Sequence, residues 1–258
     1  MEEERYYGDK KEKDTSSVIK LVLKILFTAL VVFLYGFLIL RMCTMDPSED
    51  TRSLVWDKTL LEAYHADPEG FTVSTQSLHQ NMDENGYIAF FDVLYIPSAK
   101  QLQLTVRYNV STVAAIEDAY SLSEITGEPL VFSLRAEDGT RYSAYSYTAT
   151  KTNRYYFRHL VFNDVDLDVF TILPEDKAGD GSFTFPEGDG YVRVYETDYL
   201  YLDAFYPGDI DPEHPLASVT AFNRALSLQP YDFKKTMPKD DAPNASLQPS
   251  PYFIISET

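Results

Sequence analysis

One stretch of this chain constrains its structure more than any other: residues 25–40 carry no charged side chain and lie between Lys24 and Arg41. An α-helix rises about 1.5 Å per residue, so about 20 residues cross the roughly 30 Å hydrocarbon core of a bilayer. The long side chains of Lys24 and Arg41 can carry their charges to the headgroups. The sequence therefore predicts one transmembrane α-helix over residues 21–42.

Two processed alternatives and a buried core helix fit this stretch less well than a permanent span. A signal peptidase site needs small residues after the apolar run, whereas Arg41 and Met42 stand there. A bacterial lipoprotein has a small residue before its lipidated cysteine, whereas Met42 precedes Cys43. The position near the N-terminus beside a charged flank argues against a core helix. We therefore interpret the segment as an uncleaved signal-anchor.

Positive charges indicate the orientation of this span. Lys and Arg near the ends of a span favour the cytoplasmic side. Six of them precede the span and three follow it closely: Arg5, Lys10, Lys11, Lys13, Lys20 and Lys24, then Arg41, Arg52 and Lys58. We expect residues 1–20 to form a short cytoplasmic tail and the C-terminal part to lie outside the cell membrane.

The predicted outer part is strongly acidic. Residues 46–258 carry 15 basic and 34 acidic side chains, a net formal charge of −19. Such a surface repels the phosphates of nucleic acid, so we exclude that partner. A protein or an envelope polymer remains as the expected partner, beside the membrane itself.

The pattern changes from helical to strand-like after a linker. Residues 43–70 are predicted to hold this linker and a short juxtamembrane helix over 54–64, because Trp56, Leu60 and Tyr64 recur near helical spacing. Residues 71–235 then form the predicted extracytoplasmic domain. Residues 236–258 are a polar, Pro-containing tail, in which 252–255 either returns to the sheet or hangs free.

About eight short segments of strand character, separated by turn residues, predict a mainly β fold. We expect an antiparallel β-sandwich, with the immunoglobulin-like arrangement as its candidate topology. The clearest strand alternates from Gln101 to Val110 and predicts one buried and one solvent-facing side. Further predicted elements are strands at 86–96, 129–135, 141–148, 155–162, 191–196 and 199–206, a helix at 113–120, a loop at 172–190 and an undecided element at 216–228.

The sequence carries none of the local signatures that catalysis commonly needs. It has no Gly-x-Ser-x-Gly, His-Glu-x-x-His, phosphate-binding Gly-rich loop or Cys-x-x-Cys. The four histidines, His65, His79, His159 and His214, are scattered, and we interpret them as surface or strand residues. Carboxylate pairs of a glycoside hydrolase converge in space rather than in sequence, which keeps an anchored hydrolase as a third hypothesis. We expect no enzyme activity.

One acidic segment has the residue types of a calcium site. Asp164, Asp166 and Asp168 alternate with apolar residues, and hard cations bind several carboxylate oxygens. The segment lacks the Gly and the later Glu of a helix-loop-helix calcium loop, so the wet face of a strand is the competing interpretation. Residues 209–213 form a second group of this kind. No other cofactor is expected.

An aromatic pattern on two neighbouring strands is the candidate for partner binding. Tyr and charged side chains fall on one side of each strand: Tyr191, Arg193, Tyr195, Tyr199, Tyr201 and Asp203. A sheet face of this composition can stack on sugar rings or seat a peptide. The competing interpretation is a face that is covered by residues 216–255 or packed between sheets, because large exposed aromatic patches are uncommon.

Two functions follow from these observations as hypotheses. The first is a single-pass, non-catalytic binding or structural module of the cell envelope, in which the span tethers the outer domain. The second is an accessory subunit of a membrane assembly for secretion, division or sensing, with the span and residues 56–64 as its contact.

The signal-anchor interpretation predicts the fate of a tag placed before Met1. The tag stays on the full-length chain in carbonate-washed membranes, because no peptidase site follows the span. Protease added outside intact cells removes the acidic domain and spares the tag. A tag-free chain of lower mass would contradict the prediction, as would a tag digested from outside.

Overall fold

The computed structural model describes two compact units, residues 1–46 and 47–258. Within them the structure describes residues 2–43, 52–78, 81–119, 130–151, 154–174, 184–186, 190–206, 211–239, 243 and 248–249. The predicted return of 252–255 to the sheet therefore lies outside the described residues.

The first unit is a helix, α1, which runs from Glu2 to Cys43. Its segment Ser17–Leu40 has a mean hydropathy of 2.5. Thr28 donates its hydroxyl to the carbonyl of Lys24 at 2.8 Å, so its polar atom is satisfied within the helix. Among the described residues, one helix is thus long and apolar enough to cross a membrane, as the sequence predicts.

The second unit is mainly β. Two further helices are α2 (Lys58–Ala66) and α3 (Val110–Ala119), with 3-10 turns at Pro97–Ala99 and Phe233–Thr236. The strands are β1 (Ser74–Gln76), β2 (Ile88–Ile96), β3 (Gln101–Asn109), β4 (Val131–Ala136), β5 (Arg141–Lys151), β6 (Tyr155–Phe162), β7 (Phe170–Pro174), β8 (Thr184–Pro186), β9 (Tyr191–Tyr195), β10 (Tyr199–Phe205), β11 (Ala217–Asn223), β12 (Gln229–Pro230) and β13 (Gln248–Pro249).

Nine strands form one continuous antiparallel sheet in the order β11-β10-β4-β5-β6-β3-β2-β1-β12, and β13 pairs with β5. We call it the main sheet. A separate small sheet has the order β7-β9-β8. The described residues thus confirm the prediction of a mainly β, antiparallel fold. The β-sandwich and its immunoglobulin-like topology stay predictions.

Local predictions agree with the structure where turn chemistry is strong. Strand β6 has the predicted bounds, and β4 and β5 form the predicted hairpin with Gly139 at φ +91° in its turn. The predicted loop at 172–190 is wrong in part, because β7 ends and β8 lies within this stretch, and both strands pair with β9. The undecided element at 216–228 is strand β11 followed by a turn.

The core lies inside the main sheet, which curls around it. Apolar side chains from β2, β3, β4, β5, β6, β10 and β11 form one buried cluster. The curl brings the ends of the sheet together at Gln76 of β1. Its side-chain amide donates to the carbonyls of Asn223 (2.8 Å) and Leu226 (3.0 Å) and accepts from the Asn223 N–H (2.9 Å).

The predicted solvent-facing side of β3 is buried at its first three positions and half-buried at Arg107 and Asn109, which corrects the sequence-based expectation. Gln101, Gln103 and Thr105 are each at most 1% exposed. An extended segment, residues 54–57, lies over them, and together with α2 it contributes to a second apolar cluster around Trp56. Alternation shows which residues share a side, but not whether another segment covers that side.

Hydrogen bonds compensate these buried polar side chains. The Gln103 side chain accepts from the Val55 N–H and donates to the Val55 carbonyl, both at 2.9 Å. It thus bonds to the backbone of segment 54–57 as a neighbouring strand would. Gln101 donates to Asp57 at 3.1 Å and to Asn163 at 2.8 Å. His159 is 1% exposed, and its Nε2 lies 3.0 Å from Oε1 of the Gln103 side chain. The polar face therefore holds a covering segment.

Helix α2 begins later than predicted because Asp57 caps it. The Asp57 carboxylate accepts from the Leu60 N–H at 2.8 Å, and residues 54–57 before it are extended and buried. Burial raises the pKa of the Asp57 carboxyl, against the opposing effect of this hydrogen bond. Trp56 is 0% exposed, stacks on Phe71 at 5.8 Å and donates to Thr236 at 3.2 Å.

The Gln103 side chain gives a test of how segment 54–57 is held. Gln103→Leu keeps the volume but leaves the Val55 amide and carbonyl without these partners, so we expect a loss of about 3 kcal/mol in unfolding free energy. Urea denaturation of the full chain in detergent measures it. Gln229→Leu, at an exposed position, is the matched control and is expected to change stability by less than about 0.5 kcal/mol. Equal effects of both variants would contradict the assignment.

Candidate functional site

The structure divides the six predicted partner-binding residues between two sheets. Tyr191, Arg193 and Tyr195 lie on β9 of the small sheet, whereas Tyr199, Tyr201 and Asp203 lie on β10 of the main sheet. They therefore belong to separate sheets, contrary to the prediction of one face across neighbouring strands. Consecutive strands usually pair, and the sequence carries no sign that this pair separates.

The small sheet presents apolar side chains beside the β9 residues. Ile172 and Tyr191 are each 52% exposed and Phe170 is 37% exposed. Register places Phe170 opposite Tyr195 and Ile172 opposite Arg193. The Arg193 guanidinium lies 4.1 Å from the Phe170 ring centroid, a cation–π distance. We call this surface the β9 face.

Arg224 connects the turn after β11 to the end of β9. Its guanidinium lies 3.7 Å from the Tyr195 ring centroid and donates to the carbonyl of Thr197 at 2.8 Å and to that of Leu167. Burial lowers the pKa of Arg224. Tyr195 is thus held by its neighbours, whereas Tyr191 at the other end of β9 is open.

Asp203 is buried and is the centre of an ionic cluster, which argues against an open binding face at this residue; its role in partner binding stays a prediction. Asp203 is 0% exposed. One carboxylate oxygen accepts from Arg135 Nε and from Arg141, each at 2.8 Å, and the other accepts from the Ser218 hydroxyl at 2.6 Å.

The cluster resolves an unfavourable pairing within the sheet. Arg135 and Arg141 are directly opposite each other on β4 and β5, where like charges repel. The Asp203 carboxylate on the next strand contacts both guanidinium groups and offsets one of their two positive charges, and its hydrogen bond raises the pKa of Arg135. Arg141 is fixed further by bonds to Ser133 (3.0 Å) and the Pro212 carbonyl (2.6 Å).

The held Arg135 forms part of a groove beside β11. Its guanidinium lies 4.8 Å from the Tyr201 ring centroid, and the Tyr201 and Tyr199 rings stack at 6.4 Å. The groove has a volume of about 500 Å³. We call it the β11 groove; it is lined by Leu78, Met82, Asp83, Glu84, Arg135, Tyr199, Tyr201, Ser218, Val219, Thr220, Asn223 and Leu226.

Sequence reasoning found Tyr199 and Tyr201 but missed most of the other lining residues. Arg135 and Thr220 are opposite Tyr201 on the two adjacent strands. Met82 and Glu84 come from the connection between β1 and β2, which the curl of the sheet brings to β11. Strand order and curl determine these neighbours, and neither is encoded in the local alternation of residues.

The three aspartates of the calcium hypothesis are not grouped around one point. Lys100 contacts Asp166 at 2.7 Å and lowers the pKa of this carboxyl, and the Tyr95 hydroxyl lies 3.4 Å from Asp168. Asp164 has φ +62° and is exposed. Among the described residues, no three His, Cys, Asp or Glu side chains are placed to hold a metal ion. The calcium site stays a prediction without a described cluster behind it.

The second acidic group and the histidines also have local partners. Residues 209–210 lie outside the described part of the chain, and Asp211 bonds to His214 at 2.8 Å, which lowers the pKa of the aspartate and raises that of the histidine. His79 is likewise not described. His65 is an exposed residue of α2, and His159 belongs to the buried polar face of β3.

Comparisons with known proteins identify no relative of this chain. No family model, no curated protein and no solved structure matches the chain. What the structure defines is a β-rich protein with one apolar N-terminal helix, in which the β11 groove and the β9 face are the two described surfaces that carry the predicted aromatic residues.

The ionic cluster under the β11 groove predicts a large effect of Asp203→Asn. The change leaves Arg135 and Arg141 opposite each other without a compensating charge, and breaking a buried ion pair costs about 3–5 kcal/mol. Asp232→Asn is the control, because its ion pair with Lys235 is exposed and such pairs contribute about 0–1 kcal/mol. Urea denaturation of the full chain in detergent measures both. A loss below about 1 kcal/mol for Asp203→Asn would show that the cluster is not structural.

Proposed function

We propose that this protein is a single-pass, membrane-anchored binding module of the cell envelope, with its β domain outside. Helix α1 supports the anchor, and the excess of Lys and Arg before residue 25 supports the orientation. Tethering keeps the domain at the membrane and raises its effective concentration toward other envelope components. Within the domain we propose a sandwich-like arrangement, because the core lies between two halves of one curled sheet.

The observation that carries this proposal is the β11 groove. Its Arg135 side chain is held by the buried Asp203 and lies against the Tyr201 ring before any partner arrives, so little side-chain entropy remains to be lost on binding. Tyr and Arg are also the residues that dominate binding energy in interfaces. Rigid aromatic and guanidinium groups beside hydroxyl and amide side chains suit recognition without chemistry.

A subunit role in a membrane assembly is the second candidate, and the β9 face favours it. Trp56, which the sequence suggested as a contact residue, is inside the domain and is unavailable to a partner. The exposed Ile172 and Tyr191 are an accessible alternative, with α1 as the contact in the membrane. The third hypothesis, an anchored hydrolase, has no described observation in its favour.

Site-specific cross-linking in intact cells tests the proposal. The photoreactive amino acid p-benzoylphenylalanine replaces Tyr199 in the β11 groove, Tyr191 on the β9 face or Tyr155 on β6. We expect a discrete envelope adduct from position 199 and none from position 155. An adduct from position 191 alone would overturn the groove and support the assembly hypothesis.

The captured partner then allows a quantitative prediction. Tyr201→Ala in the full chain in nanodiscs is expected to weaken binding about 5- to 30-fold, as loss of an aromatic hot spot does. Tyr155→Ala is the aromatic control and is expected to leave the dissociation constant within about twofold. Equal affinities of wild type and Tyr201→Ala would exclude the groove as the binding site.

A further inference from the structure

We propose that the β11 groove takes an extended polypeptide segment that adds to the edge of β11 as a further antiparallel or parallel strand, and that this segment carries apolar side chains and a Lys or Arg. The inference rests on the proposed binding function and names the chemistry of the partner.

The first argument is the position of β11 in the main sheet. It is the terminal strand of the described order and pairs with β10 on one side. In an antiparallel pair, every second residue of an edge strand directs both its N–H and its C=O away from the neighbour. Val219 lines the groove although its side chain belongs to the core and the residue is only 6% exposed. Lining by its backbone is what an edge strand beside the groove would give.

The second argument is that this protein already satisfies part of the edge with a peptide-like group. The Gln76 carboxamide accepts from the N–H of Asn223 and donates to its carbonyl. This is the pair of bonds that a residue of an added strand would form. The end of the β11 edge, at Asn223, therefore faces the groove. The part of β11 from Ser218 to Thr220 also lines it.

The third argument concerns side-chain pockets. Strand addition derives affinity from backbone bonds and specificity from pockets for alternate side chains. Leu78, Met82 and Leu226 supply apolar contacts from beyond the edge, and Met82 is 45% exposed. Tyr201 and Thr220 line the β10–β11 side. A strand with apolar residues at alternate positions matches this lining.

The fourth argument is charge complementarity. The lining holds one guanidinium, that of Arg135, which is paired with the buried Asp203, and two carboxylates, those of Asp83 and Glu84. Glu84 is exposed at the wall. The local charge is therefore negative, in a domain that is already acidic, and a basic residue in the partner strand is favoured.

The experiment uses the full chain in nanodiscs and a displayed library of ten-residue peptides as the probe. Selected peptides are resynthesised with N-methyl groups on every second amide, in both registers, which removes backbone donors and keeps the side chains. One register is expected to weaken binding more than about 10-fold and the other less than about 3-fold, because only one edge of the peptide faces β11. Equal losses in both registers, or none in either, would overturn strand addition.

Charge variants provide the second readout and do not perturb the sheet. Glu84→Lys is expected to weaken the selected peptides about 3- to 10-fold at low salt, and Glu69→Lys, an exposed acidic residue in another turn, is the matched control. Peptides that bind without dependence on Glu84 would overturn the basic-strand assignment.

A glycan array on the same nanodiscs separates the two levels of the proposal. Glycan binding that Tyr201→Ala abolishes, with no peptide selected, would overturn the inference and leave the binding module standing. Absence of both ligand classes, together with no adduct at position 199, would overturn the proposed function itself.

Discussion

The hydrogen bonds of Gln76 hold together the two ends of the main sheet, and much of the domain depends on that closure. An antiparallel sheet of nine strands has to bury one apolar face, and it does so by curling until β1 reaches the end of β11. A fully closed barrel has no edges. Here closure is made by a side chain instead of a ladder, so the adjacent part of β11 stays an edge, and the β11 groove is the gap that results.

The outer side of the curled sheet is stabilised by polar groups that are compensated inside the protein. Gln103 binds the backbone of Val55, and Asp203 binds Arg135 and Arg141. Buried polar groups are costly without partners, so each of them requires one particular neighbour. Such interactions select one arrangement over other compact ones, since a shifted strand or a displaced segment leaves charges and amides unpaired.

Prediction from sequence was accurate where the structure depends on neighbours in the chain. The bounds of β6, the β4–β5 hairpin and the apolar helix follow from alternation, turn residues and length. The prediction that Gln101, Gln103 and Thr105 of β3 face solvent was wrong because segment 54–57 covers them. The sequence of a strand does not show whether another segment covers it. Of the twelve residues that line the candidate groove, only Tyr199 and Tyr201 were named in advance, and the others required the strand order.

The sequence by itself determined the anchor-length helix, the antiparallel β character and the acidity, because these depend on composition and on spacings of a few residues. Only the tertiary structure decided that β9 and β10 belong to different sheets, that Asp203 is a buried counter-ion and that β11 ends at a groove. These features depend on pairing between distant segments, where the free energy comes from contacts that no local pattern records.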